Sequence, residues 1–406
     1  MEGQTEIKEN LTCPVCGRAG LVSTVKRSQL PAMQNYVYRR IDLARNAKQG
    51  RLDLAVCPGC GFAHNALFDS KLLDYDEGYD NSVPSEVMLE YYREIATYLH
   101  GSYPLDGGLV IDVGCGNGTL LKTLCGMFPA TRGLGVDPSY TGPSLAVDGR
   151  VEFVTDVFSR EYVRTRPSLV LCRHVLEHIP DPVSFLRSIQ SSLEAFAGTP
   201  LFLEVPDTNW IIENDAFWDF CYEHCNYFTP GSLAMALQLA QCAPHATRSA
   251  YGKQYTWVEA RTAPEPQAPR AVLESHPQTN LAENLGRYAE REISLISRAA
   301  KQLRKVKREG WSITVWGMAT KGVVFSFLMD ADRTLIDFCI DVNENKWGCF
   351  VPLTGHLIEG PEVLRKEGSR PLAIVVMNLN YLSEIKDMCR TLALRPMFLD
   401  AQGNKL

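Results

Sequence analysis

Short apolar runs alternate with segments of helical apolar spacing along most of the chain. Between residues 71 and 262 the apolar runs are bounded by polar and glycine-rich turns. This alternation is typical of a parallel sheet with crossover helices. It predicts an α/β domain over residues 71–262, with strands at Leu109–Val113, Leu134–Asp137, Val151–Val154, Ser168–Arg173 and Leu201–Pro206.

A second alternating block occupies residues 263–406. A proline-rich stretch, Ala263–Arg270, interrupts the first pattern and predicts a linker or an exposed loop. A long helical pattern follows at Leu281–Lys307, and after it come a strand, a glycine turn and a further helix. We expect a second, Rossmann-like α/β domain, with strands at Ser312–Trp316, Ile336–Ile340 and Leu372–Val376 and a helix at Val323–Met329.

The first 70 residues contain two cysteine pairs with the same spacing. Two residues separate Cys13 from Cys16 and Cys57 from Cys60, and a glycine follows each pair. Four thiolates satisfy a tetrahedral zinc ion and leave no open position for chemistry. The spacing therefore predicts a small domain over residues 1–70 with a structural zinc ion, and a disulfide framework is the alternative.

Composition and charge narrow the possible partners. The chain has 406 residues, 13 cysteines and a formal net charge of -6. A negative net charge disfavours a nucleic-acid partner, and no apolar run approaches the length of a membrane span. The polar N-terminus predicts no signal peptide, and the scattered cysteines suit a reducing compartment. We expect a cytoplasmic monomer that acts on a small molecule.

A glycine-rich turn follows the predicted strand Leu109–Val113. Gly114, Gly116 and Gly118 let the backbone approach a ligand without hindrance from a Cβ atom. Nucleotide and dinucleotide sites also use such turns, so an NAD-binding Rossmann domain is the alternative. Here Asp112 precedes the first glycine by two positions, which resembles the first motif of class I S-adenosylmethionine-dependent methyltransferases.

Polar residues also end or follow the next three predicted strands. Asp137 ends the second strand, where a carboxylate accepts hydrogen bonds from ribose hydroxyls. Asp156 and Val157 follow the third strand, in the turn that usually touches the adenine, and Arg173 ends the fourth. We expect these residues to bind S-adenosylmethionine together with Asp112 and the glycine turn.

Two histidines follow the fourth strand. His174 and His178 share a face if the segment is helical, and the glutamate between them is at the wrong position for a metalloprotease motif. Methyltransferases keep acceptor-binding residues after this strand. For His178 two interpretations stay open, a catalytic group and a histidine packed under the cofactor loop. Asp181 and Pro182 then predict the start of a helix.

A cluster of titratable and aromatic residues occupies positions 221–230. It contains Tyr222, Glu223 and His224, and a helix start is predicted at its end. These side chains are therefore expected in a loop, where catalytic groups concentrate. A histidine flanked by a carboxylate is suited to act as a general base. The alternative is a metal site built from the two cysteines and the histidine of this segment.

Two loop segments are candidates for the wall of an acceptor site. Residues 73–82 are rich in aromatic and acidic residues and include Tyr79, and they predict either a lid or a solvated connector. Residues 35–52, between the cysteine pairs, are basic. We expect this second segment to help enclose the acceptor.

Together these features resemble the nucleotide-sugar C-methyltransferases of antibiotic deoxysugar pathways. The resemblance covers nearly the whole chain. It includes the Glu-His-x-x-Tyr-Phe string that begins at Glu223 and the Gly-x-x-x-Lys-Gly string that begins at Gly317. Further matching segments are Gln29–Asn35, His174–His178 and Asn378–Ile385.

The resemblance implies methyl transfer to a carbon beside a ketone. In that family the acceptor is a dTDP-4-keto-6-deoxyhexose, which is methylated at C3. The family's base corresponds to His224. Tyr222 and Glu223 would orient it or stabilise charge, and His178 and Tyr79 would lie near the sugar. This agrees with the chemistry, because removing a proton beside a carbonyl requires a base and donors for the enolate oxygen.

The same resemblance leaves parts of the assignment open. Lys321 and the turn Gly317–Gly322 are expected to face the diphosphate, because an ammonium and backbone amides suit phosphate. The segment Asp341–Lys346 departs from the family pattern, which bears on acceptor binding. Two other functions remain: an O- or N-methyltransferase acting on another small metabolite, and a zinc-containing protein that only senses a nucleotide.

Overall fold

The structure is a computed structural model that describes residues 6–73, 75, 78–263, 280–365 and 370–406. This part of the chain contains three β-sheets. Apart from its first residue, the predicted linker Ala263–Arg270 lies outside these ranges. Of the predicted lid at 73–82, residues 73, 75 and 78–82 are described. Within the described ranges, no helix is both long and apolar enough to cross a bilayer.

The first sheet is antiparallel and carries the four N-terminal cysteines. Helix α1 (Ile41–Arg45) lies between its second and third strands. The two cysteine pairs occupy the β1–β2 and β3–β4 turns, where Gly17 and Gly61 have φ of 72° and 67°. Left-handed backbone of this kind favours glycine. The first four strands are β1 (Glu6–Thr12), β2 (Ala19–Pro31), β3 (Gln49–Val56) and β4 (Ala63–Asn65).

The middle of the chain, residues 86–262, contains five α-helices and nine strands, and eight of these strands form the large sheet. Its helices are α2 (Glu86–Ser102), α3 (Thr119–Met127), α4 (Pro182–Ser192), α5 (Thr208–Glu213) and α6 (Pro230–Leu239). Its strands are β5 (Leu109–Val113), β6 (Arg132–Val136), β7 (Leu145–Ala146), β8 (Val151–Val154), β9 (Leu169–Arg173), β10 (Pro200–Pro206), β11 (Asn226–Tyr227), β12 (Cys242–Ala250) and β13 (Tyr255–Thr262).

The strand order of the large sheet is β12-β13-β10-β9-β5-β6-β8-β7. Strands β8, β6, β5, β9 and β10 run parallel, and β13 is antiparallel to β10. This order confirms the predicted class I methyltransferase core. Strand β11 instead pairs with β4, so residues 226–227 complete the first sheet. The predicted ranges 1–70 and 71–262 therefore share a sheet.

The C-terminal part forms a five-stranded parallel sheet of order β16-β15-β14-β17-β18. This is the predicted Rossmann-like arrangement. Its elements are α7 (Leu281–Arg308), β14 (Ser312–Trp316), α8 (Thr320–Asp330), β15 (Phe338–Ile340), β16 (Ile358–Glu359), β17 (Leu372–Val376), α9 (Leu382–Thr391) and β18 (Met397–Leu399).

Helix α7 joins the first sheet to the C-terminal sheet. It packs on β2, and Arg27 of that strand forms a buried ion pair with Glu292 of the helix at 2.6 Å. The Arg27 guanidinium also donates to the carbonyl oxygens of Phe217 and Phe220, at 2.6 and 2.8 Å. These contacts fix the backbone just before residues 221–224, of which Glu223 and His224 line the cavity described next.

Candidate active site

A cavity of about 1210 Å³ lies at the carboxyl ends of β5, β6 and β9. The turn after β14 in the C-terminal sheet lines its opposite side. Open parallel sheets bind ligands at these strand ends. The cavity is therefore the natural place for the predicted cofactor and acceptor.

The glycine turn after β5 gives the cavity an open backbone wall. Gly114, Gly116 and Gly118 have φ between 53° and 72°. A Cβ atom on Gly114 would lie 2.4 Å from Val175 Cγ2, and one on Gly118 would lie 2.2 Å from the Phe153 ring. A Cβ atom on Gly116 would meet no described atom within 4 Å, so Gly116 presents bare backbone to the cavity. This surface fits a bound S-adenosylmethionine.

Asp137 and Asp112 occupy different places around this turn. Asp137 lines the cavity, and its Oδ2 accepts a hydrogen bond from the Gly116 N–H at 2.8 Å. Its Oδ1 accepts from the Ser139 N–H at 2.7 Å. Asp112 is 4 % exposed and lies outside the cavity lining, and burial raises its carboxyl pKa to about 6.

The remaining predicted cofactor residues separate into two groups. Val157 and Arg173 line the cavity, whereas Gly118 and Asp156 do not. The Asp156 carboxylate accepts from the Tyr162 hydroxyl and from the Val157 N–H, the latter at 2.7 Å. The structure thus places Asp156 on the exposed surface, because these two donors hold its side chain there. Gly118 packs against Phe153 and shapes the start of α3.

A buried network behind the cavity holds Arg173 and His174. Its centre is Glu204 of β10, which contacts Arg173 at 2.5 Å and His174 Nε2 at 2.8 Å. Although burial opposes this, Arg173 and His174 lower the pKa of Glu204 to about 2. Burial likewise opposes charge on His174, but hydrogen bonds to Glu177 and Glu204 raise its pKa to about 9. Sequence reasoning missed Glu204, because a lone glutamate in an apolar strand carries no motif.

The segment 174–178 is not an α-helix. His174 has φ of 53°, and Leu176–His178 forms a single 3₁₀ turn. Both histidines nevertheless line the cavity, as does Glu177. The condition for a shared helical face is therefore not met, since the left-handed residue turns the chain before a helix starts at Pro182. That helix is capped by Asp181, as predicted.

His224, His178, Glu223 and Tyr79 come together at the cavity wall. The His178 and His224 rings meet edge to face, with centroids 4.9 Å apart. Burial and the neighbouring His178 lower the pKa of His224 to about 3. Glu223 accepts hydrogen bonds from the Gln34 and Asn35 N–H groups and from the Tyr79 hydroxyl. The segment 35–52 thus reaches the site through Asn35.

Tyr222 lies outside this group. Its side chain is fully buried, and its hydroxyl accepts a hydrogen bond from the Asp69 N–H at 2.7 Å. A Cβ atom on Gly50 would lie 2.2 Å from the Tyr222 ring, so the ring packs on the first sheet. The structure does not place Tyr222 in the cavity lining, in contrast to the sequence-based expectation. The ring points away because side chains of consecutive residues diverge.

The expected phosphate-binding lysine has a partner within the protein. Lys321 lines the cavity, but its Nζ contacts both carboxylate oxygens of Asp219, at 2.5 and 2.6 Å. Lys346, 3 % exposed, also lines the cavity. Its Nζ lies 3.2 Å from the Met318 carbonyl oxygen and 3.4 Å from Asn35 Oδ1. Among the described residues no carboxylate forms an ion pair with Lys346, and sequence reasoning did not single it out.

The four N-terminal cysteines converge away from this cavity. Their ligand atoms lie within 4.8 Å of one another. The Sγ atoms of Cys13 and Cys60 are 3.6 Å apart, and those of Cys16 and Cys57 are 3.5 Å apart. All four are free thiols, which contradicts a disulfide framework. The alternative metal site of Cys221, His224 and Cys225 does not form a cluster of ligand atoms among the described residues.

Two domain models match the middle and C-terminal parts of this chain, and one relative aligns along most of it. A methyltransferase domain model matches residues 87–247, and a C-methyltransferase C-terminal domain model matches residues 259–394. The C-methyltransferase NovU of Streptomyces niveus is 26 % identical over 392 residues, 92 % of this chain and 91 % of that protein. A ubiquinone biosynthesis O-methyltransferase of Xanthomonas campestris pv. campestris (strain B100) is 30 % identical over 114 residues, 26 % of this chain and 46 % of that protein.

Solved methyltransferase structures also match. The magnesium protoporphyrin IX methyltransferase of Synechocystis PCC 6803, with bound SAH, is 17 % identical at a TM-score of 0.34 and covers 44 % of this chain and 84 % of that chain. The two domain models and the alignment with a C-methyltransferase along 92 % of the chain carry the assignment. The chain is therefore an S-adenosylmethionine-dependent methyltransferase that is similar along most of its length to a C-methyltransferase.

Proposed function

We propose that this enzyme methylates the carbon beside the ketone of a nucleotide-linked 4-keto-deoxysugar, at C3. The observation that carries the proposal is the imidazole of His224 in the cavity that the glycine turn also borders, where burial and His178 lower its pKa. When bound, S-adenosylmethionine supplies an activated methyl group. The glycine turn and Asp137 would hold it.

His224 is the proposed base. Because its pKa is lowered to about 3, the ring is unprotonated at neutral pH and has a lone pair available for a substrate proton. The preceding carboxylate of Glu223 is fixed by two backbone N–H groups, which holds the backbone on the N-terminal side of His224 in place. An oriented base beside a carbonyl is what proton abstraction from carbon requires.

Tyr79 and His178 are the proposed polar contacts for the sugar. The Tyr79 hydroxyl lies 3.4 Å from Glu223 Oε2, and burial raises its pKa, so the phenol keeps its proton and can donate it in a hydrogen bond. His178 is held by a 3.0 Å contact from Nδ1 to the Glu223 carbonyl oxygen. A donor placed at a developing enolate oxygen lowers the barrier to its formation, which suits the Tyr79 hydroxyl, whereas His178 Nε2 would accept a hydrogen bond from a sugar hydroxyl. Tyr222 is assigned a packing role instead.

An anionic acceptor is supported by the charge on the far wall. Lys346 brings a buried ammonium to the cavity, and its hydrogen-bond acceptors in the described part of the chain, Asn35 Oδ1 and the Met318 carbonyl oxygen, are neutral. A buried charge is costly unless it is paired, and a diphosphate would pair it. The cavity volume of about 1210 Å³ accommodates a cofactor and a nucleotide-linked sugar together.

The four cysteines are proposed to bind one structural zinc ion. Zinc–sulfur bonds of about 2.3 Å in a tetrahedron place the sulfurs about 3.8 Å apart. The observed separations of 3.5 and 3.6 Å fit that geometry. A closed set of four thiolates leaves the metal no part in methyl transfer.

Two measurements test the proposed reaction. The enzyme is incubated with S-adenosylmethionine and a panel of dTDP-keto sugars, and the products are analysed by mass spectrometry. Without S-adenosylmethionine, deuterium from solvent is expected to enter the carbon beside the ketone of the true acceptor. No exchange, together with a methyl group on oxygen in the product, would contradict methylation at carbon and favour the O-methyltransferase alternative.

A further inference from the structure

Three side chains in the cavity form a group that is suited to a divalent metal ion. Glu177, His178 and His224 each offer one ligand atom, and these atoms lie within 4.8 Å of one another. All three residues line the cavity. Two imidazoles and a carboxylate are a common ligand set for zinc and related cations, and three protein ligands leave a position open.

Glu177 has an oxygen that no described protein atom satisfies. The residue is 2 % exposed, and its Oε1 lies 3.2 Å from His174 Nδ1. Its Oε2 is buried without a hydrogen-bond partner in the described part of the chain. Buried carboxylate oxygens are normally paired with a donor or a metal ion. This unsatisfied oxygen is an independent indication of a missing ligand.

The two histidines have the lone pairs that a metal site needs. His178 Nδ1 lies 3.0 Å from the carbonyl oxygen of Glu223, and a carbonyl only accepts. Nδ1 therefore carries the proton, and Nε2 keeps its lone pair. Metal-binding histidines usually donate their other ring N–H in this way. The ring of His224 lies beside that of His178, with centroids 4.9 Å apart.

Residues behind the group hold the carboxylate in place. His174 contacts Glu177 through Nδ1 and Glu204 through Nε2, the latter at 2.8 Å. Glu204 is in turn held by Arg173 at 2.5 Å. This chain of contacts resembles the outer layer of hydrogen bonds that orients ligands in metal sites.

We infer that Glu177, His178 and His224 bind a divalent cation of the zinc and cobalt class, and that this cation blocks proton abstraction by His224. The lone pair that removes a proton from the acceptor is the one that a metal would take. Occupancy by metal and catalysis therefore exclude each other. The inhibitory effect rests on the proposed role of His224 as the base, whereas metal binding itself does not.

Cobalt(II) distinguishes this site from the four cysteines. The full chain is purified with zinc, and its zinc content is measured before cobalt is added. Thiolate ligands give cobalt strong charge-transfer absorption in the near ultraviolet, whereas nitrogen and oxygen ligands give only weaker visible bands. We expect one equivalent of cobalt to produce visible bands without new charge-transfer absorption. Absence of visible bands from bound cobalt would overturn the inference.

Substitutions identify the ligands. Glu177→Gln and His178→Asn are each expected to weaken cobalt binding at least tenfold. The matched control is His100→Asn, which removes a surface histidine that lies 3.0 Å from Asp106. This control should bind cobalt as the unaltered chain does. Circular dichroism and thermal unfolding establish that each variant is folded. Unchanged cobalt affinity in folded Glu177→Gln would contradict the assigned site.

Methyl transfer then tests the inhibitory part. Micromolar zinc is expected to inhibit the unaltered enzyme reversibly and to inhibit Glu177→Gln at least tenfold less strongly. Binding of metal without inhibition would overturn the inhibitory effect and would also count against His224 as the base. Absence of metal binding would overturn the inference and leave the proposed methylation unaffected.

Discussion

Two histidines of the site are driven to opposite protonation states by their neighbours. His174 lies between Glu177 and Glu204, and these carboxylates raise its pKa to about 9 against the effect of burial. His224 is half-buried beside His178, and the loss of solvent around its ring together with His178 lowers its pKa to about 3. The same residue type therefore supplies a fixed cation behind the site and a neutral ring inside it. This division agrees with a structural role for His174 and a base role for His224.

Replacing His224 with asparagine is expected to abolish methyl transfer. Asparagine keeps a polar group of similar reach but cannot remove a proton from carbon. Binding of S-adenosylmethionine should be nearly unchanged, because the proposed cofactor contacts are with the glycine turn and Asp137. Product formation by mass spectrometry and cofactor affinity by calorimetry test both parts. A variant that loses cofactor affinity would show that His224 acts through cofactor binding.

Tyr222 and Tyr79 provide a matched pair of phenols. Tyr222→Phe removes the hydrogen bonds to Asp69 outside the cavity and should lower the free energy of unfolding by about 1 kcal/mol with kcat retained. Tyr79→Phe removes a hydroxyl that lines the cavity and should lower kcat at least tenfold. Urea unfolding and steady-state kinetics on both variants distinguish the roles. A large fall in kcat for Tyr222→Phe with normal stability would return Tyr222 to the catalytic group.

At the scale of elements, the sequence predicted most of what hydrophobic pattern and local signals determine. The strands β5, β14 and β17 have the predicted bounds, because each is a short buried apolar run. The start of α4 at Pro182 also follows from its local residues. The pairing of β11 with β4 was not predicted, since two residues carry no pattern and their partner lies far away in sequence.

The site shows the same division between local and long-range information. Motifs indicated His224, Glu223 and the glycine turn. The Lys321–Asp219 pair and the network around Glu204 depend on contacts between distant segments. No spacing in the sequence encodes such contacts. The position of Tyr222 outside the cavity lining was not predicted either, because its contact with Asp69 joins segments that are far apart in sequence.

Two glycines of the same turn are expected to differ in the effect of an alanine substitution. Both have positive φ, so each substitution strains the backbone by about 1 kcal/mol or more. Gly118→Ala also places a Cβ atom 2.2 Å from the Phe153 ring and should destabilise the fold further. Gly116→Ala points a methyl group into open cavity space and should mainly weaken S-adenosylmethionine binding. Urea unfolding and calorimetry measure the two effects. Equal losses of stability and affinity in both variants would contradict this distinction.

At the scale of the whole molecule, the three sheets meet around one cavity and share their cores. Val15 and Phe62 of the two cysteine turns belong to the same apolar cluster as Leu203 and Val205 of β10 in the large sheet. Residues of the first sheet pack with those of α7 and the C-terminal sheet, among them Leu52 and Tyr288. The first sheet therefore supports both walls of the cavity.

Removing the proposed zinc should unfold the first sheet before it affects chemistry at the site. The four thiolates are proposed to take no part in methyl transfer, but the turns that carry them pack on the large sheet. We expect a strong chelator to lower the thermal midpoint and to release one zinc ion per chain, with activity lost in parallel with folding. Cys16→Ser should reproduce this effect. Full loss of activity in a chelated protein that keeps its thermal midpoint would indicate a catalytic metal instead.

The stability of the molecule is expected to fall on both sides of neutral pH, and a different set of histidines causes the fall on each side. In the unfolded chain a histidine has a pKa of about 6.5. In the folded protein the pKa of His224 is about 3, and burial lowers the pKa of His64 to about 4. Both rings therefore resist protonation when folded, and stability falls as pH drops below about 6.5. His174 is stabilised as a cation, so its contribution is complete below about 6.5 and is lost as pH rises through about 9.

The alkaline side of this profile belongs to His174 and can be isolated. His174→Gln keeps a donor for one carboxylate but has no proton to lose in this range. Its free energy of unfolding should be lower than that of the unaltered chain at pH 6.5 and should change less between about pH 6.5 and pH 9, while the acidic side stays the same. Urea unfolding at a series of pH values gives both slopes. If the alkaline slope of the variant equals that of the unaltered chain, His174 is neutral in the folded protein, and Glu177 is held by a hydrogen bond without a charge.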